Sequence, residues 1–332
     1  MRAGATLGLT GRYAVQARQA QAGLELWASD SGVDLVVVDD RGSADQAVAA
    51  YRALLDDGVD VLLGPYGSGT VRRVAPVVCG TGRVLWNHGG SADDLARHGL
   101  ATVVAPASTY LHQPVDLAAG AGLEQVVVVS GRGRFAAEVS TGGCERADTR
   151  GLRSRLVPVR EGHDLAAVAA PEASTRSLAS AALIFVGTFD EDVAAVWRVR
   201  EAGWEVGQLA CVAAGIDEFG RRLGDLAEGV VGPAQWWCHD QPASVGPSGP
   251  ELVRRFQRRF GHPPDYLAAQ ATAAGYLATE ATARGYGADD LPRWRTDTLL
   301  GPFRLDRTWR QTGYTPSAVR WRGGRREPAA GP

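Results

Sequence analysis

The chain is 332 residues long, which is enough for two domains that each bury a core. Its hydrophobic content of 45% and charged content of 22% are typical of a globular protein. The net charge of −2 argues against nucleic acid as a partner, and no apolar run reaches the roughly 18 residues that a membrane span requires.

The first third of the chain alternates apolar runs with helical patterns. Strands are predicted at 3–9, 33–40, 59–63, 83–87 and 101–104, and helices at 14–29, 43–56 and 68–78. Ser43 is a suitable N-cap for the second of these helices. Because helices separate the strands, this order is typical of a parallel sheet, whose ligands bind beyond the carboxyl ends of the strands.

A second α/β run begins near residue 109. Helices are predicted at 109–121, 135–148, 163–170 and 189–203, and strands at 125–130, 156–159, 183–186 and 208–212. From residue 249 the order changes, because helices at 250–260 and 265–284 follow each other with no strand between them. Residues 301–306 and 318–322 are predicted to form a β-hairpin, and 323–332 a frayed end.

These two halves predict an α/β fold with two lobes, between which the chain crosses more than once. The predicted boundaries place 1–107 and 241–300 in lobe 1, and 108–240 and 301–322 in lobe 2. Cys211 and Cys238 each close a strand-like run in predicted lobe 2, so a disulfide between them is possible. The alternative is that all four cysteines are free thiols.

The segment Gly64-Pro-Tyr-Gly-Ser-Gly-Thr70 follows a predicted strand and is rich in glycine. It lacks the Gly-Lys-Ser/Thr ending of a P-loop, and the chain contains no lysine. It also lacks the spacing of a dinucleotide fingerprint and of a nucleophile elbow around Ser68. With the second loop, 87–91, it predicts a cradle of backbone N–H groups and hydroxyls for a small ligand; a plain tight turn is the alternative.

Patterns for catalysis or metal binding are missing from the sequence. The six histidines show no ligand spacing, and the acidic residues show no isolated pair for acid–base chemistry. We therefore predict no enzyme activity, no metal and no cofactor. Aromatic residues recur near predicted strand ends, and about half of them are expected to line a ligand site, while core packing explains any single one. They are Tyr13, Tyr66, Trp86, Phe135, Phe189, Trp236, Trp237 and Tyr266.

A set of short motifs along the chain carries a family resemblance. They are 7–13 (Leu-Gly-Leu-Thr-Gly-Arg-Tyr), 37–40, 47–50 with 54–60, 64–65 with 68–70, 74–76, 87–95, 228–231, and 303–306 with 318–321. In this order the chain resembles the type I periplasmic solute-binding proteins, specifically the leucine/isoleucine/valine-binding branch that serves ABC importers. The resemblance implies two Rossmann-like lobes that are joined by three hinge strands and close on a ligand.

The resemblance also implies which residues bind the ligand. Ser68 and Gly69 in one loop, and the 89–91 segment in the next, match the cradle for a carboxylate or amide. Phe135 and Phe189 lie where the second lobe often presents tyrosine, and Tyr266 where an aromatic side chain closes the pocket. The full predicted set is Tyr13, Tyr66, Ser68, Gly69, Gly89, Gly90, Ser91, Phe135, Phe189, Asp217, Trp236 and Tyr266.

One departure from the family pattern bears on the ligand. Amino-acid binders of this family have an acidic residue after the strand that here ends at Val212, and it holds the ligand's ammonium. This chain has Ala213-Ala214-Gly215 there, and Asp217 is the nearest acid. Because an ammonium buried without a counter-charge costs several kcal/mol, we expect weak binding of leucine or valine. A carboxylate or amide with an apolar or aromatic body is expected to bind better.

Two functions fit the resemblance. A solute receptor would deliver its ligand to an ABC permease outside the cytoplasm, either in the periplasm or lipid-anchored, with its leader removed from this chain. A ligand sensor of the same fold would act in the cytoplasm if Met1 is the native start, and would regulate gene expression through a partner protein. The upstream sequence would discriminate between them, since a lipoprotein leader favours the receptor.

Overall fold

A computed structural model describes residues 1–11, 14–159, 164, 176–238 and 242–329. The predicted helix at 163–170 therefore falls almost wholly outside the described residues. The chain divides into two compact units. Unit 1 comprises Met1–Pro106 and Trp236–Tyr314, and unit 2 comprises Ala107–Gln235 and Thr315–Pro332.

The strands in chain order are β1 (Arg2–Leu7), β2 (Asp34–Asp39), β3 (Val61–Leu63), β4 (Leu85–Asn87), β5 (Leu100–Thr102), β6 (Gln125–Ser130), β7 (Arg153–Pro158), β8 (Ala181–Val186), β9 (Gln208–Cys211), β10 (Val231–Ala234), β11 (Arg295–Thr298), β12 (Gly301–Arg304), β13 (Ser317–Arg322) and β14 (Arg325–Pro328). The α-helices of the described residues are α1 (Ala14–Ser31), α2 (Ala44–Asp56), α3 (Ser68–Cys79), α4 (His112–Gly120), α5 (Arg134–Thr149), α6 (Phe189–Glu201), α7 (Asp217–Leu223), α8 (Gly249–Phe260) and α9 (Tyr266–Ala283).

Unit 1 is built on a five-stranded parallel sheet with the order β2-β1-β3-β4-β5. Its register places Ala5 of β1 beside Val37 of β2 and Leu63 of β3. The predicted N-cap is confirmed, because the side chain of Ser43 accepts a hydrogen bond from the N–H of Gln46 and α2 ends at Asp56. Because every strand runs in the same direction, the loops after β3 and β4 lie at one edge of the sheet.

The helix α9 joins the core of unit 1 although it lies more than 150 residues beyond β5. Small residues permit its close packing against α1. A Cβ atom at Gly23 would lie 2.3 Å from the carbonyl oxygen of Ala268, and one at Gly275 would lie 2.3 Å from the ring of Trp27. Only glycine allows such contacts without moving the helices apart. The Trp27 indole donates a 3.0 Å hydrogen bond to Thr279 Oγ1.

Unit 2 contains a seven-stranded sheet with the order β14-β13-β10-β9-β8-β6-β7. The strands β6 to β10 are parallel, whereas β13 is antiparallel to both β10 and β14. Apolar runs such as Val126–Val129 in β6 and the whole of β8 are buried, as expected for central strands covered on both faces. The predicted α/β class with parallel sheets is thus confirmed.

The structure differs from the sequence prediction after residue 236. Residues 301–306 do not pair with 318–322: β12 pairs with β11, a strand that was not predicted, and β13 pairs with β10 and β14. Residues 301–314 belong to unit 1 rather than to the second lobe, because Phe303, Leu305 and Trp309 are buried in the unit 1 core.

One further expectation is wrong, and one open alternative is decided. Part of the predicted frayed end, 323–332, forms β14, because its backbone pairs with β13. Of the two alternatives for these cysteines, thiols are correct for Cys211 and Cys238, which form no disulfide with each other. Cys211 is buried in unit 2, whereas Cys238 is exposed and belongs to unit 1 rather than to the same lobe.

Candidate functional site

The predicted ligand loops of unit 1 are in backbone contact. The N–H of Gly67 donates a 2.9 Å hydrogen bond to the carbonyl of Gly89. A Cβ atom at Gly89 would lie 2.7 Å from Tyr66 Cα and 2.8 Å from the carbonyl oxygen of Pro65, so only glycine fits there. The structure therefore brings the loops 64–67 and 87–91 together at the carboxyl edge of the sheet.

Ser68 holds the second loop rather than offering its hydroxyl freely. Its Oγ accepts hydrogen bonds from the N–H groups of Ser91, at 3.2 Å, and of Ala92, at 3.1 Å. It is also the first residue of α3, whose N-cap is Gly67 with a positive φ of 91°. One hydroxyl thus ties the start of the helix to the loop 23 residues further along the chain.

Asn87 shapes the same loop from inside and was not among the predicted site residues. Its Oδ1 accepts hydrogen bonds from the N–H groups of Gly89, at 3.2 Å, and Gly90, at 2.8 Å. A side-chain oxygen of asparagine that accepts a hydrogen bond from the backbone N–H two residues later is typical of an Asx-turn. An asparagine directly after a predicted strand was therefore a signal in the sequence for this role. The free N–H groups expected at 89–91 are consequently used within the loops.

Ion pairs anchor the segment that follows the second loop. Arg72 of α3 makes two hydrogen bonds to Asp94, at 2.9 and 2.6 Å. Arg310 makes a further ion pair with Asp93. Each pair is partly exposed and contributes at most about 1 kcal/mol. These ion pairs matter to the site mainly because Arg72 and Arg310 together hold the segment after the second loop in a fixed orientation.

The polar groups left for a ligand in unit 1 lie at the start of α3 and on Ser91. The first helical hydrogen bond runs from the N–H of Val71 to the carbonyl of Gly67, so the N–H groups of Ser68, Gly69 and Thr70 precede it. Nothing lies within 4 Å of a Cβ position at Gly69. The Oγ of Ser91 has no protein partner within the described part of the chain. A helix N-terminus favours anionic or electronegative ligand atoms.

His88 lies under these loops and is fully buried. Neither of its ring nitrogens has a hydrogen-bond partner among the described residues. Burial lowers the pKa of His88 from 6.5 to about 4. The imidazole is therefore neutral near pH 7 and adds no positive charge to the cradle.

Unit 2 presents loops after β6, β8 and β9 at the carboxyl edge of its own sheet. Thr188 caps α6, and the Glu191 side chain accepts a hydrogen bond from the Thr188 N–H at 2.8 Å, which completes a capping box. Phe135 is half-buried and packs edge-on to Tyr110, with ring centroids 5.6 Å apart. The guanidinium of Arg222 lies 5.7 Å from the ring centroid of the half-buried Phe189.

The next acid along the chain after the Ala213–Gly215 segment is already paired. Asp217 Oδ1 accepts a 2.8 Å hydrogen bond from Arg326 Nε, and another nitrogen of Arg326 lies 2.7 Å from the same oxygen. Arg326 also donates to the carbonyl of Gly215. Asp217, a predicted ligand residue, is thus neutralised by an arginine from β14.

The remaining predicted site residues lie within unit 1. The Trp236 indole donates a 3.1 Å hydrogen bond to the carbonyl of Leu299, and Tyr66 packs against the unit 1 core. Tyr266 begins α9 directly after its N-cap, Asp265. Tyr13 lies outside the described residues. Of the predicted set, Tyr66, Ser68, Gly69, Gly89, Gly90, Ser91, Trp236 and Tyr266 belong to unit 1, and Phe135, Phe189 and Asp217 to unit 2.

Two properties of the described residues bear on function. No group of histidine, cysteine, aspartate and glutamate side chains among them is arranged to hold a metal ion. Across the same residues, no helix combines the length and apolarity needed to span a membrane.

Comparison with known proteins gives a consistent result. A family model described as periplasmic binding protein matches residues 1–296. No curated protein sequence matches the chain. Among solved structures, a leucine-binding protein from Thermotoga maritima is 17% identical with a TM-score of 0.81, over 99% of this chain and 98% of that one.

Two further structures have the same fold. An ABC-transporter solute-binding protein from R. palustris in complex with benzoate is 17% identical, with a TM-score of 0.78 over 99% of this chain and 95% of that one. A branched-chain amino acid binding protein from Streptococcus pneumoniae in complex with isoleucine is 15% identical, with a TM-score of 0.80 over 98% of this chain and 97% of that one. These similarities show that the fold is shared.

Proposed function

The chain belongs to the periplasmic binding protein family, and from this premise we propose that it is the solute-binding receptor of an ABC importer. Receptors of this family bind small molecules and are not enzymes. In unit 1, the first N–H groups of α3 and the Ser91 hydroxyl receive a carboxylate or amide oxygen of the ligand. In unit 2, the first turns of α5 and α6 carry Phe135 and Phe189, whose rings suit an apolar or aromatic group.

The pairing of Asp217 with Arg326 carries the proposed ligand class. Residues 213–215 supply no carboxylate for an ammonium, and the next acid along the chain is neutralised. The buried Asp192 carboxylate, which accepts a hydrogen bond from the Ala213 N–H, uses both of its oxygens for backbone N–H groups. A buried ammonium at this segment would therefore lack a carboxylate of its own, at a cost of several kcal/mol. We infer that the ligand is a small carboxylate or amide without an ammonium group.

Matched ligand pairs test this class. Isocaproate is leucine without its ammonium, and hydrocinnamate is phenylalanine without its ammonium. We expect each deaminated acid to bind at least about tenfold more tightly than its amino acid, since tenfold corresponds to about 1.4 kcal/mol. A thermal-shift screen that includes benzoate and short amides, followed by calorimetry, measures the difference. Tighter binding of leucine than of isocaproate contradicts the proposed class.

The Ser91→Ala variant tests the assigned cradle. The Ser91 hydroxyl makes no bond within the described part of the chain, so its removal should leave the fold intact. Loss of one hydrogen bond to a charged ligand group should weaken binding by about 1–2 kcal/mol, which is roughly five- to thirtyfold. Calorimetry with the tightest carboxylate of the screen measures it. Unchanged affinity in this variant overturns the assignment of Ser91.

The transport role has a separate test. An importer receptor acts outside the cytoplasm and meets an ABC permease there, whereas a gene-regulating sensor of the same fold stays inside the cell. We expect the native protein in the extracytoplasmic fraction of the source cells, and loss of uptake of the bound carboxylate when its gene is deleted. A cytoplasmic native protein with normal uptake in the deletion strain refutes the receptor role.

A further inference from the structure

Asp192 is a buried acid in unit 2 that neither the sequence analysis nor the proposed ligand site uses. It lies in the first turn of α6, and its side chain is fully buried. Its Oδ1 accepts a 2.8 Å hydrogen bond from the N–H of Gly187, and its Oδ2 accepts a 2.9 Å hydrogen bond from the N–H of Ala213. One carboxylate therefore joins two separate loops.

These two loops follow neighbouring strands. Gly187 comes directly after β8, and Ala213 lies in the turn of 3-10 helix (Val212–Gly215) that follows β9. The strands β8 and β9 are adjacent and parallel, so both loops lie at the carboxyl edge of the sheet. That edge is where parallel α/β sheets bind ligands.

Capping of α6 does not explain Asp192. The Thr188 side chain accepts a hydrogen bond from the Glu191 N–H, and the Glu191 carboxylate accepts one from the Thr188 N–H. Both bonds of Asp192 instead reach outside the helix. A buried carboxylate is costly, and a well-packed apolar residue often gives equal or greater stability. What the carboxylate adds at this position is a fixed geometry between two loops.

The hydrogen bonds favour the ionised carboxylate over its protonated form. Each oxygen accepts a hydrogen bond from an N–H donor, and an ionised carboxylate is a stronger acceptor than a protonated carboxyl group. Burial raises the pKa of Asp192 to about 7, Glu191 adds to this rise, and the bonds from Ala213 and Gly187 oppose it. Cys211 on β9 also interacts with Asp192, and burial raises the pKa of its thiol well above the ordinary value, so the thiol is neutral.

We propose that Asp192 is a positioning residue that holds the 187–188 and 212–215 loops in the arrangement in which unit 2 binds ligand. The proposal rests on the proposed function, because it assumes that these loops contact the ligand. Asp192 supports the site without touching the ligand.

The test compares Asp192→Asn with Asp190→Asn. Asparagine keeps the shape of the side chain but replaces one acceptor oxygen with an NH₂ donor that faces an N–H. Asp190 lies two residues away, its side chain is 80% exposed, and among the described residues its side chain makes only a 3.4 Å ion pair with Arg222, so its variant has the same carboxylate-to-amide change without the two bonds. Amide hydrogen exchange and isocaproate calorimetry are measured for both.

In Asp192→Asn we expect at least one of the Gly187 and Ala213 amides to exchange at least about tenfold faster, beyond any change shared by unit 2. Isocaproate affinity should fall about tenfold in this variant and stay unchanged in Asp190→Asn. Equal exchange of both amides in wild type and Asp192→Asn overturns the proposal. If the amides change while the isocaproate affinity does not, the loops are held by Asp192 but do not position ligand, which also overturns it.

A measurement on the wild-type protein covers the case in which the variant does not fold. As the pH changes, the amide resonances of Gly187 and Ala213 should shift together. The midpoint of both shifts should equal the midpoint of the titration of the Asp192 carboxyl carbon resonance. Independent shifts of the two amide resonances refute the proposal that Asp192 holds both loops. Failure of the proposed function has a different signature, since the wild type then binds no carboxylate or amide while the coupled titration persists.

Discussion

Replacement of Ser68 by alanine should destabilise unit 1, because this hydroxyl is the acceptor for two N–H groups of the neighbouring loop. The bonds from Ser91 and Ala92, at 3.2 and 3.1 Å, are slightly longer than the most common N–H···O distance of about 3.0 Å. We therefore assign each about 1 kcal/mol, near the middle of the range for hydrogen bonds in proteins. The two bonds together contribute about 2 kcal/mol.

A smaller effect of opposite sign must be subtracted. Ser68 is the first residue of α3, and alanine is a better helix former than serine by about 0.5 kcal/mol. The expected loss of unfolding free energy for Ser68→Ala is therefore about 1.5 kcal/mol. Urea unfolding at pH 7 measures it, and amide exchange of Ser91 and Ala92 locates it, because both amides should exchange faster.

Ser91→Ala is the matched control. It removes the same chemical group from the same pair of loops, but this hydroxyl holds nothing within the described part of the chain. Its unfolding free energy should stay within about 0.5 kcal/mol of wild type. If Ser68→Ala is as stable as Ser91→Ala and the two amides exchange at their wild-type rates, the inferred role of Ser68 is wrong.

Three further predictions concern single residues. Gly69→Ala should keep or slightly raise the unfolding free energy, since nothing lies within 4 Å of the new Cβ atom. Gly90→Ala should lower the unfolding free energy by about 1–3 kcal/mol, since its Cβ atom would lie 2.8 Å from Val71. Equal unfolding free energies of the two variants would contradict this. Burial raises the pKa of Asp192 from 3.8 to about 7, so between these pH values the native state holds a proton that the unfolded chain has released. The contribution of Asp192 to stability should therefore fall as the pH rises through that window. The unfolding free energy in urea should decrease from pH 5 to pH 8 for this reason in wild type and not in Asp192→Asn. Burial lowers the pKa of His88 from 6.5 to about 4, so the contribution of His88 to stability should fall as the pH falls through that window. The NMR resonances of its ring should stay those of neutral imidazole down to pH 5. A titration of these resonances near pH 6.5 would refute the burial of His88.

The order of helices and strands could be predicted from the sequence because it depends on local patterns. Runs such as Val126–Val129 are strand-like wherever they occur, and Ser43 before a helical pattern acts as an N-cap through a bond three residues away. The short motifs in their order also indicated the family, and the family match over residues 1–296 agrees with it. These properties require no knowledge of which distant residues meet.

The strand partners and the unit of the segments near the end of the chain could not be predicted from local patterns. A short strand pattern such as 301–304 shows that a strand forms, but its partner depends on which other backbone comes near it. In the structure that partner is β11, and the burial of Phe303 and Trp309 holds the segment in unit 1. Competition among several possible partners is decided by packing of the whole unit.

The candidate site shows the same division. The sequence alone placed Ser68 and the 89–91 loop near strand ends, because strand ends follow from local patterns, and the family resemblance pointed to the missing acid at Ala213. Only the tertiary structure decided that Ser68 holds the neighbouring loop and that Asp217 pairs with an arginine 109 residues away. A hydroxyl or carboxylate has several possible partners, and the fold selects among them by the distances that it sets between residues far apart in the chain.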